Sequence, residues 1–247
     1  MGRVVAGVAL VAAVLPGPAG AQQAAADFDV PGGHFFTQTG GGGGKGYAVT
    51  DADGVGFWTA FQQLGGVEVV GYPVSQRFVH GGFVTQAMQK AVFQWRPETK
   101  SVAFVNVFDD LAAAGKDEFL LSARQTPKAT PFDDGGRPFE QVVKIRQGVL
   151  AGHPAMQAVY FGAKDPVLQY GLPTSQVADE GNAWVVRLQR AVIQEWKVDV
   201  PWAKAGQATV ANGGDIAKEA GLFPAAALAP TDPGVAAPGA AAPAPAA

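Results

Sequence analysis

The chain carries the stretch Gly71-Tyr72-Pro73-Val74-Ser75-Gln76, and an offset of 100 residues brings it onto Gly171-Leu172-Pro173-Thr174-Ser175-Gln176. The same offset aligns, without a gap, Gln89-Lys90-Ala91-Val92-Phe93-Gln94 with Gln189-Arg190-Ala191-Val192-Ile193-Gln194. A tryptophan closes each copy, but Trp95 and Trp196 are out of step by one residue. Since a spacing shared over this length is typical of a duplicated structural unit, the sequence predicts an internal repeat.

Both copies have the same order of local signals. In the first copy a helix with Trp58 on its apolar face ends at Gly65-Gly66, and a bend and two short strands, 83–88 and 91–95, follow. In the second copy Pro154 opens the helix, and the strands are 183–188 and 191–196. The repeat motif has these members: Trp58, Gly71, Pro73, Trp95, Gly171, Pro173 and Trp196.

The stretches around the two copies complete the predicted fold. Helical spacing indicates helices over 105–112, 116–124 and after Pro138, a strand over 207–210, and a last helix capped by Asp215. We therefore expect an α+β fold with two related helix–bend–β-hairpin repeats, packed with intervening short helices and followed and preceded by disordered termini.

Both ends of the chain differ in composition from its middle. Arg3, the apolar run 4–15 and Ala19-Gly20-Ala21 fit a secretory signal peptide over 1–21, cleaved near Ala21; the alternative is an uncleaved anchor. Residues 22–46 are interpreted as a flexible Gly-rich linker, and the Ala/Pro-rich segment 224–247 as a disordered tail. The predicted units are 47–125, with the first repeat, and 126–223, with the second repeat and a C-terminal strand and helix.

Composition limits the possible functions. The chain has no cysteine, so disulfides and thiolate metal sites are excluded. Charged residues are 16% of the chain and the net charge is −3, without the basic cluster that nucleic acid or an anionic membrane requires. The sequence predicts no nucleic-acid partner, no stable membrane insertion, no metal and no cofactor, and it favours a secreted or cell-surface protein that binds glycans or proteins.

Residue types that support catalysis do not occur in catalytic patterns. His34, His80 and His153 lack the spacing of a zinc helix, and the adjacent acid pairs, such as Asp109-Asp110, do not face each other on a helix. Ser75 and Ser175 follow a proline in each bend, where a hydroxyl stabilises a turn. The sequence therefore predicts that the protein is not an enzyme.

The first copy resembles the LGFP repeat of bacterial cell-wall-associated proteins. The resemblance rests on these residues: Trp58, Leu64-Gly65-Gly66, Val70-Gly71-Tyr72-Pro73, Gln86 and Trp95-Arg96-Pro97-Glu98. The second copy, around Gln169-Tyr170-Gly171-Leu172-Pro173, is degenerate, since it lacks the Gly-Gly turn and the Trp-x-Pro. The resemblance implies a non-catalytic module that anchors to, or contacts, cell-wall polymer such as peptidoglycan.

Aromatic rings can stack on sugars and glutamine amides can hydrogen-bond to hydroxyls. The candidate binding residues are Tyr72, Gln86, Gln94, Tyr170, Gln189 and Gln194. The leading hypothesis is a secreted module that binds a glycan or peptidoglycan of the cell envelope. The alternatives are a hydrolase of envelope polymer, and a structural or protein-interaction protein in which the aromatic residues only pack the core.

Overall fold

The computed structural model describes residues 26–233. The predicted signal peptide, 1–21, and residues 234–247 of the predicted tail lie outside the described residues. The strands are β1 (Phe28–Val30), β2 (Gly33–Phe36), β3 (Tyr47–Thr50), β4 (Phe78–His80), β5 (Phe83–Ala87), β6 (Val92–Arg96), β7 (Ser101–Phe104), β8 (Ala178–Asp179), β9 (Ala183–Arg187), β10 (Val192–Trp196) and β11 (Ala208–Ala211). The helices are α1 (Phe57–Gln63), α2 (Gly66–Val70), α3 (Val107–Ala113), α4 (Asp117–Arg124), α5 (Phe139–Gln147), α6 (Pro154–Gly162), α7 (Pro166–Tyr170) and α8 (Gly213–Glu219).

The strands form antiparallel sheets, and the predicted α+β class is confirmed. The N-terminal sheet has the order β1-β2-β3. The first sheet has the order β4-β5-β6-β7, and the second sheet has the order β11-β10-β9-β8. We refer to residues 47–125 as the first half of the molecule, and to residues 126–223 as the second half.

A central core joins the two halves. Val92 of the first sheet and Val192 of the second belong to one buried cluster with Leu111 of α3 and Ile216 of α8. Because side chains alternate along a strand, the neighbouring residues of β6 and β10 lie on the opposite faces. There the first sheet packs against α1 and α2, and the second sheet packs against α6.

The hydrogen bonds around the two bends recur at the offset of 100 residues. The amide of Gln89 donates to the Tyr72 carbonyl at 2.9 Å, and that of Gln189 donates to the Leu172 carbonyl at 3.0 Å. The side-chain oxygens accept in return, at 3.1 Å from the Tyr72 amide and at 3.0 Å from the Leu172 amide. Each bend starts at a glycine with positive φ, 78° at Gly71 and 75° at Gly171.

Ser75 and Ser175 hold the same position in each bend, as predicted from their turns. The hydroxyl oxygen of Ser75 accepts from the amide of Ala87 at 2.8 Å, and that of Ser175 accepts from the amide of Arg187 at 2.9 Å. Each serine therefore satisfies a backbone donor of the neighbouring strand that would otherwise be buried without a partner.

The two halves exchange their closing helices. Helix α3 leaves the first sheet, and the amide of Phe108 in its first turn donates to the Gln189 carbonyl of the second half at 3.1 Å. Helix α8 leaves the second sheet, and the amide of Gly214 donates to the Gln89 carbonyl of the first half at 2.9 Å. Each hairpin turn is therefore capped by a helix N-terminus from the other half, which satisfies otherwise unpaired amides.

The tryptophans that close the two copies lie on opposite faces of their sheets. Trp95 packs on the outer face against the cluster that contains Phe57 and Phe61 of α1. Trp196 lies in the central core and is only 5% exposed. The difference follows from the period of two in a strand, since a shift of one residue turns a side chain to the other face.

Two predicted boundaries are corrected by the structure. The segment 22–46 is not a linker throughout, because β1 and β2 pair in it and place Phe35 and Phe36 in the interior. The predicted tail packs over residues 224–233: Ala227 is buried, its carbonyl accepts from the Gln76 amide at 2.7 Å, and Thr231 pairs with Gly46. These backbone partners order a segment whose composition alone predicts disorder.

Candidate functional site

A groove of about 680 Å³ lies between the two halves, beside the outer end of β10. We call it the Trp202 groove. Its walls come from four elements: the end of α4, strand β10 with the loop that follows it, strand β11, and helix α8. The residues used below are Arg124, Gln125, Gln194, Trp196, Trp202, Asp215 and Glu219.

Trp202 is the most exposed large apolar side chain of this groove, at 67% of its surface. It lies in a tight turn in which Val200 and Ala203 exchange backbone hydrogen bonds of 2.9 and 3.3 Å. Pro201 precedes it, and a proline at this position fixes φ for the turn. A turn with these restraints holds the tryptophan out from the sheet.

Trp196 packs against the exposed ring of Trp202. The two indoles meet edge to face, with centroids 5.6 Å apart and planes at 79°. Trp196 is itself fixed, because its Nε1 donates to the Thr209 hydroxyl at 2.9 Å. Trp202 thus packs against Trp196, while most of its ring remains available to a ligand.

Polar side chains surround the tryptophan pair. Gln194 lies on the same face of β10 as Trp196, two residues away, and is half-buried. Gln125, at the end of α4, has a left-handed backbone with φ 49° and donates through Nε2 to the Glu180 carbonyl at 3.0 Å. Arg124 forms an ion pair with Glu219 across the groove. This set offers amide donors and acceptors, a guanidinium and a carboxylate next to an apolar ring.

Asp215 adds a second carboxylate, one helical turn before Glu219. Its Oδ2 accepts from Asn212 Nδ2 at 3.0 Å. Burial raises the pKa of Asp215, because a carboxylate loses hydration in the groove, and the hydrogen bond from Asn212 opposes this effect. The groove therefore contains one carboxylate paired with an arginine and one that is partly desolvated.

The structure does not bring the sequence-predicted binding residues together. Only Gln194 lies in the Trp202 groove. Tyr72 is half-buried, with its ring 5.9 Å from that of Phe36. Tyr170 lines a separate cleft of about 800 Å³ between α1–α2 and α6–α7.

The other predicted glutamines have partners in the protein. Gln86 is 0% exposed, and its Nε2 donates to the carbonyls of Ala48 at 2.8 Å and Ser75 at 3.0 Å. Gln94 is 7% exposed and donates to the His80 carbonyl at 2.9 Å. Gln189 links its bend to α3, since its Nε2 donates to Asp109 Oδ2 at 3.2 Å. Gln86 therefore has no exposed surface that a ligand could contact.

Sequence reasoning missed Trp202. The residue lies outside the stretches that align at the offset of 100, so the repeat gave it no weight. A usable signal was present in Val200-Pro201-Trp202, because a tryptophan after proline in a polar loop, between Asp199 and Lys204, has little surrounding chain to bury it.

Two further findings concern the described residues. Within residues 26–233, no group of three or more histidine, aspartate or glutamate side chains is arranged so that it could hold a metal ion. None of the helices there combines the length and the apolar character needed to cross a bilayer.

Comparison with known proteins gives no assignment: neither a protein-family model nor a curated protein matches the chain.

Proposed function

We propose that the protein is a secreted, non-catalytic module that binds a glycan of the cell envelope, and that a sugar ring stacks on Trp202. The observation that carries the proposal is a largely exposed indole, braced by a second indole, in a groove lined with amide and charged side chains. Sugars present an apolar face of C–H groups and an edge of hydroxyls. An aromatic ring complements the first, and amides and ion pairs complement the second.

The volume and shape of the groove support a small saccharide unit. A space of about 680 Å³ is in the range of sites that hold ligands of several rings. Trp202 and the Arg124–Glu219 pair both line the groove, so a short chain of sugars with one ring on the indole can also contact the ion pair. The side-chain amides of Gln125 and Gln194 line the groove and can form hydrogen bonds with the hydroxyls of a sugar.

The link with the envelope comes from the sequence. The signal peptide that the sequence predicts over 1–21 implies a mature protein outside the cytoplasm, and the resemblance of the first copy to the LGFP repeat implies a wall polymer. We further propose that the two halves are copies of one helix–bend–β-hairpin unit. The hydrogen bonds that recur around Gly71 and Gly171 support this duplication.

The test is sedimentation of the purified protein with washed bacterial cell walls, with and without soluble wall fragments as competitors. We expect binding that the fragments compete away, and a Trp202→Ala variant whose affinity is about tenfold lower or worse, because stacking residues at the centre of a site dominate affinity. Phe139→Ala is the matched control, since Phe139 is 65% exposed on α5 and is not among the residues that line the groove. Equal binding by Trp202→Ala and the wild type contradicts the assignment of this groove.

A second candidate function, hydrolysis of the same polymer, is favoured by one observation. Asp215 and Glu219 both line the groove, and glycosidases use two carboxylates, one with a raised pKa. The incubation with cell walls distinguishes the two functions. Release of soluble reducing ends by the wild type but not by Asp215→Asn supports the hydrolase, whereas binding without release supports the module. Absence of both leaves a structural or protein-interaction role.

A further inference from the structure

A second groove, of about 470 Å³, lies beside β6 of the first half and is also lined by Arg190 of the second half. We call it the Arg96 groove. It is bordered by β6 and β7 and by the start of α3, as the Trp202 groove is bordered by β10, β11 and α8. Gln94 corresponds to Gln194, and Asn106 stands immediately before α3 as Asn212 stands before α8. At the place of Trp196, however, the first half has Arg96.

The guanidinium of Arg96 has no polar partner among the described residues. Its Cζ lies 4.0 Å from the centroid of the Phe83 ring, so the group is stacked and held in one orientation. Within residues 26–233, its side chain makes no hydrogen bond and no ion pair. It is half-buried and lines the groove, so its donors face the space that a ligand would enter.

Two buried polar atoms beside the groove also lack partners. Arg190, on the turn between β9 and β10, donates through Nη1 to the carbonyls of Val167 at 2.7 Å and Leu168 at 2.6 Å, while its Nε has no partner in the described part of the chain. The side-chain oxygen of Asn106 is likewise buried without a partner there. A buried polar atom without a partner is costly, so these atoms favour a ligand with both an acceptor and a hydroxyl donor.

Among the residues that line the groove, two arginines stand against one carboxylate. Asp110 is the only carboxylate among the residues that line the groove, and its Oδ2 lies 2.8 Å from Nε2 of His80. The two arginines are Arg96 and Arg190. Two guanidiniums next to a polar wall are the arrangement that binds carboxylate and phosphate oxygens most strongly.

We propose that the Arg96 groove binds an oxyanion that carries a neighbouring hydroxyl, such as the carboxylate of a sugar acid or the phosphate of a polyol phosphate. The oxyanion accepts from Arg96 and from the free Nε of Arg190, and the hydroxyl donates to Asn106. This site is separate from the Trp202 groove and does not depend on what that groove binds.

The test is titration of the ¹⁵N-labelled protein with glycerol phosphate, glucuronate and, as the minimal anion, inorganic phosphate, followed by ¹H–¹⁵N chemical shifts. We expect saturable shifts confined to amides of residues 80–83, 94–96, 103–110 and 190. Arg96→Gln should weaken binding by about tenfold or more, because a charge-assisted hydrogen bond and a unit of charge are lost. Arg96→Lys keeps the charge without the planar fork and should bind with intermediate affinity.

Arg137→Gln is the matched control, since it makes the same change of charge at an exposed arginine paired with Asp133. It should bind as the wild type does. Tighter binding of glycerol phosphate than of glucuronate identifies a phosphate-bearing ligand, and the reverse order identifies a uronic acid. Shifts that are equally large in Arg96→Gln, or that spread over exposed lysines throughout the protein, overturn the proposal.

Discussion

Among single residues, Arg187 joins three elements, β9, α3 and α4. It is 0% exposed on β9, its Nη1 donates to Asp117 Oδ1 of α4 at 2.8 Å, and its Nη2 donates to the Phe108 carbonyl of α3. Its Cζ also lies 5.7 Å from the Phe108 ring centroid. The corresponding position in the first half is Ala87. The two halves therefore differ in charge at this position, although the first half has its own largely buried guanidinium at Arg77, whose side chain is 6% exposed.

Replacement of Arg187 by alanine should therefore lower the free energy of unfolding by about 3 kcal/mol, because it leaves a cavity and removes the partner of the partly buried Asp117. Urea denaturation followed by circular dichroism measures the change. Arg137→Ala is the control: its exposed ion pair with Asp133 contributes at most about 0.5 kcal/mol. Equal stability of the two variants would contradict the role assigned to Arg187.

At the scale of single residues, the sequence shows which side chains have the chemistry to bind a ligand, but it does not show which of them point to the surface. The glutamines at 86, 94, 189 and 194 look alike in the sequence, yet Gln86 is sealed in the core and Gln194 faces a groove. The reason is that the hydrogen-bond partners of Gln86, the carbonyls of Ala48 and Ser75, come from distant parts of the chain. Local pattern carries no information about such partners.

Among the elements, the hairpins were the most predictable and the edge strands the least. β5, β6, β9 and β10 lie close to their predicted bounds, because alternation and turn residues occur within each stretch. β7 was missed, and α8 begins two residues before Asp215, at Gly213, with Asn212 at the N-cap. The start of α8 depends on packing against the other half, where the Gly214 amide donates to the Gln89 carbonyl, whereas β7 pairs with β6 of its own sheet. Period and propensity do not encode that contact.

The two glycines at the start of α8 are required by this crossing. A Cβ on Gly214 would lie 1.8 Å from the Met88 carbonyl oxygen, and one on Gly213 would lie 2.3 Å from that of Arg190. Backbone atoms cannot move aside as a flexible side chain can. The helix therefore approaches the two hairpin turns more closely than any other residue type permits.

Gly214→Ala should accordingly destabilise the protein by about 2–4 kcal/mol, through overpacking against a fixed carbonyl. Thermal unfolding followed by circular dichroism measures the effect. Gly162→Ala serves for comparison, since a Cβ there would contact nothing within 4 Å and alanine is the better helix former. If Gly214→Ala unfolds at the same temperature as the wild type, the start of α8 does not pack against the Met88 carbonyl as described.

At the scale of the whole molecule, the halves are interlocked rather than joined in series. Each contributes a sheet to the central core, and each caps a turn of the other with a helix. The segment 224–233 adds a third connection, since the Tyr47 hydroxyl donates to the Leu228 carbonyl at 2.7 Å. The mixed class was predictable from periodicity, but this exchange was not, because it joins residues far apart in the chain.

An interlocked molecule should not yield a folded first half by itself. A chain that ends at residue 125 should lack a cooperative unfolding transition, because the inner face of the first sheet and the Gln89 carbonyl lose their cover. Adding a fragment that begins at residue 126 should restore the transition. Calorimetry of each fragment and of their mixture measures this. Cooperative unfolding of the first fragment alone would show that the halves are independent domains.

The capping of Gln89 by Gly214 also sets an order of events during synthesis. The hairpin around Gln89 leaves the ribosome long before the residue that covers it has been added. At typical elongation rates the interval is on the order of ten seconds. Throughout that time the inner face of the first sheet, which includes Val92, lacks the residues of the second half that cover it. A chain in which this face stays uncovered until α8 is made can complete its central core only after that helix has joined it.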